Sequence, residues 1–447
     1  MTSPDPAPTV GPREILALAV PAFVALVAEP LFLMVDAAVV GRLGVVPLAG
    51  LGAASSVLLT AAGVFVFLAY GTTSVVARQL GAGSRRGAIE VGVGGVWLAA
   101  GLGLLAALVV GLGARPLAAA FGSSPAALDE AVTYLRVSAL GLPAMLLVLA
   151  ATGILRGLQD TRTPLAVSAV GFGANAVLSV ALVLGLGMGI AGSAWGTVLA
   201  QWGMALALLA VVLRQGRGAA ASLRPHVGRV LGAALDGAPL LVRTLALRAI
   251  ILLTVATAAG FGDVPLAAYQ VTTTIWSLLV FALDALAIAG QALTGAQLGS
   301  GDARGAREAT ALMVRWGVWG GVLLGVGLLA LHRVLPALFT DDPAVRSAIA
   351  AGLVVIALGQ PLAGYVFVVD GVLIGAGDGR WLAMSMTLVL LAYVPIVLVT
   401  RALGAGHGPE AAVVALWLAF TAFMLVRGGF MAWRVRGDAW AVTGATR

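Results

Sequence analysis

The chain alternates long apolar runs with short polar breaks. A helix of about 20 apolar residues crosses a ~30 Å hydrocarbon core. On that measure the pattern predicts twelve membrane helices, at about 13–40, 47–77, 88–114, 128–156, 164–186, 190–213, 230–260, 265–295, 306–331, 344–374, 381–403 and 409–434. The runs are continuously apolar, unlike the alternating ten-residue segments of a membrane β-barrel, so the expected fold class is an all-α polytopic membrane protein. Composition agrees: 61% hydrophobic residues, 10% charged ones and a mean hydropathy of +1.06 fall outside the range of soluble domains.

Sliding the chain against itself by 218 residues aligns "GVVPLA" (44–49) with "GDVPLA" (262–267), and "RQLGAGSRRGA" (78–88) with "AQLGSGDARGA" (296–306). The same ungapped shift pairs "GLP" at 141 with "GQP" at 359, "GLQDTR" at 157 with "GAGDGR" at 375, and Pro21 with Pro239. Each repeat holds six helices, and an even number returns the chain to its starting side. The halves are therefore expected to be parallel repeats about an axis along the membrane normal, with a cleft between them. The expected organisation is an N-lobe at 1–213, a linker at 214–229 and a C-lobe at 230–447.

Charge sets the orientation. On the predicted topology sixteen arginines, among them Arg85, Arg86, Arg214 and Arg217, fall on one side of the membrane, against Arg42, Arg115, Arg333 and Arg401 on the other. The positive-inside rule then places both termini and the linker in the cytoplasm, in a multi-pass protein of the inner membrane. This excess is topological, so nucleic acid is not an expected partner. The Pro-rich start "MTSPDPAPTVGP" lacks the basic region of a secretory signal. All 26 basic residues are arginine and there is no cysteine.

Carboxylates inside apolar runs are expensive, about 2.5–3.5 kcal/mol at a helix centre on insertion scales, and mark candidate chemistry. Asp36 stands in the first helix, and its partner under the 218 shift is Thr254, so it is not part of the duplicated scaffold. Desolvation favours the neutral form of a carboxylate, which suits Asp36 to exchanging a proton; capping the helix end or pairing with Arg42 is the structural alternative. Glu29, seven residues earlier, projects from nearly the same face, as a second proton site or as a partner of Arg243 or Arg248. Asp284 and Asp370 in the second half are also asymmetric, with Val66 and Thr152 as partners. Pairing with Arg243 or Arg248 is their expected role, because buried charges persist best when paired. Pro21, midway along the first helix, removes a backbone hydrogen bond and is a candidate hinge or a static kink.

The segments "LMVDAAVVGRLG", "LAGLGAA", "ARQLGAG", "ILRGLQDTRTP", "LDALAIAGQALTGAQLG" and "VVDGVLIGAGDGR" together resemble the multidrug and toxic compound extrusion (MATE) transporters, in their DinF-like branch. The resemblance implies efflux of amphipathic, often cationic compounds driven by protons or sodium ions, with the coupling acid at Asp36. One subtype of the family adds an Asn and an Asp four residues apart on the fifth helix and a Thr on the sixth. This chain matches with Asn175 and Thr197, but Ser179 stands where the Asp would be. Interhelical hydrogen bonding alone is the bland alternative for Asn175, and helix contact for Thr197. Sodium-coupled relatives use acids of the second half, including one on the seventh helix, where this chain offers Arg243 and Arg248.

No intramembrane enzyme motif occurs, and His226, His332 and His407 are too scattered for a metal site. The expected function is thus a proton-coupled antiporter, a monomer without an organic cofactor. A sodium-coupled exporter and a lipid-linked precursor flippase are the alternatives.

Overall fold

In a medium without water a helix satisfies its own backbone N–H and C=O groups, and for this reason the apolar runs fold as they do. The computed structural model describes residues 11–120, 124–404 and 406–446, and the side chains of Glu29, Leu31, Phe32, Leu33 and Leu403 lie outside the described residues. The long helices are α1 (Pro12–Gly41), α2 (Val45–Gly81), α3 (Arg85–Leu112), α4 (Pro125–Gly157), α5 (Arg162–Gly185) and α6 (Gly189–Gly218). In the second half they are α7 (Val227–Gly260), α8 (Asp263–Gly299), α9 (Ala303–Leu331), α10 (Pro343–Gly375), α11 (Gly379–Ala402) and α12 (Gly408–Arg436). The last 11 are each long and apolar enough to cross a bilayer. With α1, which continues through Pro21 and Pro30, they supply the twelve segments expected from the hydropathy pattern. Among the described residues there is no strand.

Three helices are irregular: α2 breaks at Val66, α4 holds a 3-10 turn at Ala139–Gly141, and α5 ends in a π turn at Ala181–Gly185. Between α6 and α7 only residues 219–226 are non-helical, a shorter connection than the 214–229 segment read from composition. The apolar pattern reports where a helix leaves the bilayer, not where it ends. Here the polar turn stays helical, with Arg85 Nη2 donating to Gln215 Oε1 at 3.1 Å.

The chain divides into two compact units. The N-unit runs from Val20 to Ala238. The C-unit takes Pro239–Ala445 together with the chain up to Ala19. The divisions therefore fall inside α1 and α7, beside Pro21 and Pro239, two positions that correspond under the 218-residue shift.

Each unit repeats the other's packing solution at one close contact between helices. In the N-unit, a Cβ on Gly103 of α3 would lie 2.6 Å from Pro143 Cα of α4. In the C-unit, a Cβ on Gly321 of α9 would lie 2.3 Å from Gln360 O and 2.9 Å from Pro361 Cα of α10. A small residue lets two backbones meet where lipid supplies no hydrophobic force between helices. Gly321→Val is therefore expected to lower the thermal midpoint in detergent by the equivalent of about 1–3 kcal/mol, the usual cost of overpacking, whereas Gly327→Val, with open space at its Cβ, leaves it unchanged.

The N-unit core that frames the site joins Val40 of α1, Leu51 and Ala54 of α2, Tyr134, Leu135 and Leu142 of α4, and Ile190 and Ala194 of α6. These contacts fix the second half of α1 against α4 and the start of α6.

Candidate functional site

Asp36 follows from that core. About one turn further along α1, Val39 and Val40 are buried, and Asp36 itself is 4% exposed. A carboxylate so placed needs donors. Three hydroxyls provide them: Ser193 Oγ donates to Oδ1 at 2.5 Å, Ser179 Oγ reaches the same oxygen at 3.2 Å, and Tyr134 OH donates to Oδ2 at 3.2 Å. The first distance is in the range of a charge-assisted O–H···O⁻ bond.

Local structure explains how three helices deliver these groups. Tyr134 sits in the buried face of α4, a helix opened by Ser124, whose Oγ accepts from Ala127 N at 3.3 Å. Ser179 lies on α5 just before its π turn, and Ser193 lies on α6 just after the tight connection that follows. The two helices come together at Gly196, where a Cβ would stand 3.0 Å from both Ser179 N and Ser179 Oγ.

The contacts extend beyond the carboxylate. Ser179 Oγ is 3.0 Å from Asn175 Oδ1, and Asn175 Nδ2 donates to Thr197 Oγ1 at 3.2 Å. A serine hydroxyl has one proton to give, and both neighbours here are acceptors. When Asp36 is charged it draws that proton, and Asn175 Oδ1 loses its donor. When Asp36 is neutral its own O–H can donate to Ser179, which then donates to Asn175. The hydrogen-bond direction across α1, α5 and α6 therefore depends on the charge of one group.

The structure thus brings together Asp36, Asn175 and Thr197 of the residues singled out from the sequence. Glu29 lies outside the described residues as regards its side chain. Ser179, which reads in the sequence as a missing acid, is the link between Asp36 and Asn175. Tyr134 and Ser193 were not singled out. A signal existed for Ser193, which precedes Thr197 by four residues and so shares its helix face; for Tyr134 nothing in the local sequence marks it.

The C-unit treats its carboxylate differently. Asp370 of α10 accepts from Arg243 of α7, by Nε to Oδ1 at 3.2 Å and by Nη2 to Oδ2. Arg427 Nη2 of α12 stands 2.9 Å from Oδ1. The pairing expected for Asp370 is present, with a second arginine added, and all three side chains are buried. Asp284 is half-buried on α8. At the position equivalent to Asp36, Thr254 donates to Ile250 O at 2.8 Å, so Tyr393 OH, 2.7 Å away, is the donor to Thr254. A neutral hydroxyl pair occupies the place that a carboxylate holds in the other half.

A family model described as MatE matches the chain twice, over residues 21–181 and 239–399, two stretches separated by the same 218 residues as the internal repeat. Among curated relatives, Protein DETOXIFICATION 44, chloroplastic, of Arabidopsis thaliana is 32% identical over 266 residues, 58% of this chain and 48% of that protein. DNA damage-inducible protein F of Escherichia coli (strain K12) is 29% identical over 277 residues, 58% of this chain and 56% of the relative. The chain thus spans about half the length of these relatives. A solved structure of the Vibrio cholerae MATE transporter VcmN, a mutant form, superposes with a TM-score of 0.85 at 19% identity, covering 96% of this chain and 98% of the other.

Proposed function

The chain belongs to the MatE family, and from that premise we propose that it is a secondary exporter of amphipathic, often cationic compounds, driven by protons exchanged at Asp36. The observation that carries the proposal is the contrast between its two buried carboxylates. Asp370 is held by two guanidinium groups, which stay charged at any working pH and favour a permanently charged carboxylate. The partners of Asp36 are hydroxyls, and a hydroxyl can either donate to a carboxylate or accept from a carboxylic acid. The three hydroxyls therefore accommodate both charge states of Asp36.

Coupling follows by linkage. The Asp36 carboxylate attracts a cationic substrate and the neutral protonated acid does not, so proton and substrate each lower the affinity of the N-unit for the other, and the effect is reciprocal. Protonation on the outer side releases substrate; loss of the proton on the inner side restores binding. The arginine distribution supports an orientation with both termini in the cytoplasm.

The test is dye efflux in everted vesicles with a pH gradient and a sodium gradient imposed separately. Transport driven by the pH gradient alone supports the proposal; transport that follows sodium alone overturns it. Sodium is the second reading because the atoms around Asp36 are all oxygens, the ligand type a hard cation takes.

Ser179→Ala should lower the initial rate of pH-driven efflux roughly tenfold. A hydrogen bond to a charged group contributes about 1.5–3 kcal/mol, and the link to Asn175 is lost with it. Ser179→Thr retains the hydroxyl and should retain most of the rate.

A further inference from the structure

The 218-residue repeat supplies an internal control for one side chain that the Asp36 site does not use. Both α3 and α9 open with the same device. Ser84 Oγ accepts from Gly87 N at 3.0 Å, and its counterpart Asp302 Oδ1 accepts from Gly305 N at 2.7 Å. One turn on, Arg86 Nε pairs with Glu90 Oε1 at 3.0 Å, and the counterpart Arg304 Nε pairs with Glu308 Oε1 at 3.1 Å. There the likeness stops. The Glu308 side chain is 60% exposed and the Glu90 side chain 14%.

Glu90 has captured the connection between the repeats. Its Oε1 also accepts from Ser222 N at 2.9 Å, and its Oε2 accepts from Arg229 Nη2 at 2.7 Å. Arg229 Nη1 reaches back to Ser222 O at 3.5 Å, closing a ring of contacts. Four residues along α3 from Glu90, on the same face, Gly94 makes room for the Arg229 backbone: a Cβ there would lie 2.7 Å from Arg229 O. At the corresponding position α9 carries Leu312. Further along, Trp97 Nε1 donates to Leu223 O at 3.4 Å. An acid, a glycine and a tryptophan on one face of α3 thus hold residues 222–229, and the repeat that lacks this glycine does not bury its acid.

The consequence lies in α7. Its residues through Ala238 belong to the N-unit, and from Pro239 onward it belongs to the C-unit. Proline in a helix interior removes one hydrogen bond and weakens the helix at that point. We infer that Glu90 is a positioning residue for transport, a latch that keeps the first turns of α7 on α3 through the cycle so that α7 bends at Pro239. The inference rests on the transport reading for its functional half, and on geometry within the N-unit for its structural half.

The experiment reads the two halves separately. The chain has no cysteine, so spin labels at Leu104→Cys on α3 and Leu231→Cys on α7, both exposed positions, report one distance without further substitution. With Glu90 and Arg229 intact the distance distribution is expected to be narrow; Glu90→Gln and, independently, Arg229→Gln should broaden it. In the same two variants the maximal rate of dye efflux should fall about fivefold or more, with dye affinity within twofold of the parent. Glu308→Gln should change neither. A narrow distribution in a folded Glu90→Gln or Arg229→Gln protein overturns the latch. Undiminished efflux beside a broadened distribution, or equal loss in Glu308→Gln, overturns its role in transport. If the parent protein moves no dye under any gradient, the transport reading fails while the spin-label comparison still decides the latch.

Discussion

Asp36→Asn is expected to abolish ion-driven efflux and leave a folded protein that still binds cationic substrate weakly. The amide has nearly the shape of the protonated acid, and its oxygen still accepts from Ser193 or Tyr134, so the N-unit core around Val40, Tyr134 and Ile190 has no reason to rearrange. What the amide cannot do is lose a proton. The Ser179 hydroxyl is then no longer drawn to a negative charge, and the contacts among Asp36, Ser179 and Asn175 stay in one pattern. Efflux in everted vesicles and a thermal melt measured together decide the matter. Parental efflux in the variant removes Asp36 from the mechanism, and loss of efflux through unfolding would appear in the melt.

The other large effect belongs to stability. Asp370→Leu removes the shared partner of Arg243 and Arg427, both about 5% exposed, and should cost about 3–5 kcal/mol, the range found when one member of a buried ionic group is deleted and the rest is left uncompensated. Replacing the whole group, Asp370→Leu with Arg243→Met and Arg427→Met, should recover most of that loss, because apolar side chains of similar volume avoid the desolvation penalty. The measurement is the thermal midpoint of the purified protein in one detergent. A triple variant that is stable and still exports would assign the cluster to structure; a stable triple variant without efflux would give the C-unit carboxylate a part in transport.

Much of this architecture was legible because its causes are local or periodic. Segment number and approximate bounds follow from hydropathy, and the family model's two matches start at Pro21 and Pro239, where the sequence repeat had already paired two prolines. Asp36 was legible because a carboxylate in an apolar helix is costly wherever it occurs. Its neighbours were harder to find. Tyr134 is 98 residues away in sequence and Ser193 157, and hydroxyl residues are common enough on membrane helices that neither stands out. Ser179 was visible as a departure from a family pattern, but its role depends on two distances that no linear pattern encodes. The division of α1 and α7 between units was also hidden, since it depends on which neighbours the first turns meet and not on their own composition.

On the proposed mechanism, Thr254, the hydroxyl that answers to Asp36 across the repeat, bears on the energetics of export. If Asp36 is the exchanging group, its site would take up one proton per cycle, and the equivalent place in the other half holds the hydroxyls of Thr254 and Tyr393 instead of a carboxylate. One proton entering for each monovalent cation leaving moves no net charge, so the exchange would be electroneutral, and the membrane potential, worth about 2.3 kcal/mol per charge for each 100 mV, would neither assist nor oppose it. Each pH unit across the membrane would then sustain at most about a tenfold substrate gradient, since about 1.4 kcal/mol corresponds to one factor of ten on either side of the exchange. A cell relying on this protein would gain protection from acidity outside it, and a neutral substrate, whose export would carry charge, would respond to voltage where a monovalent cation does not.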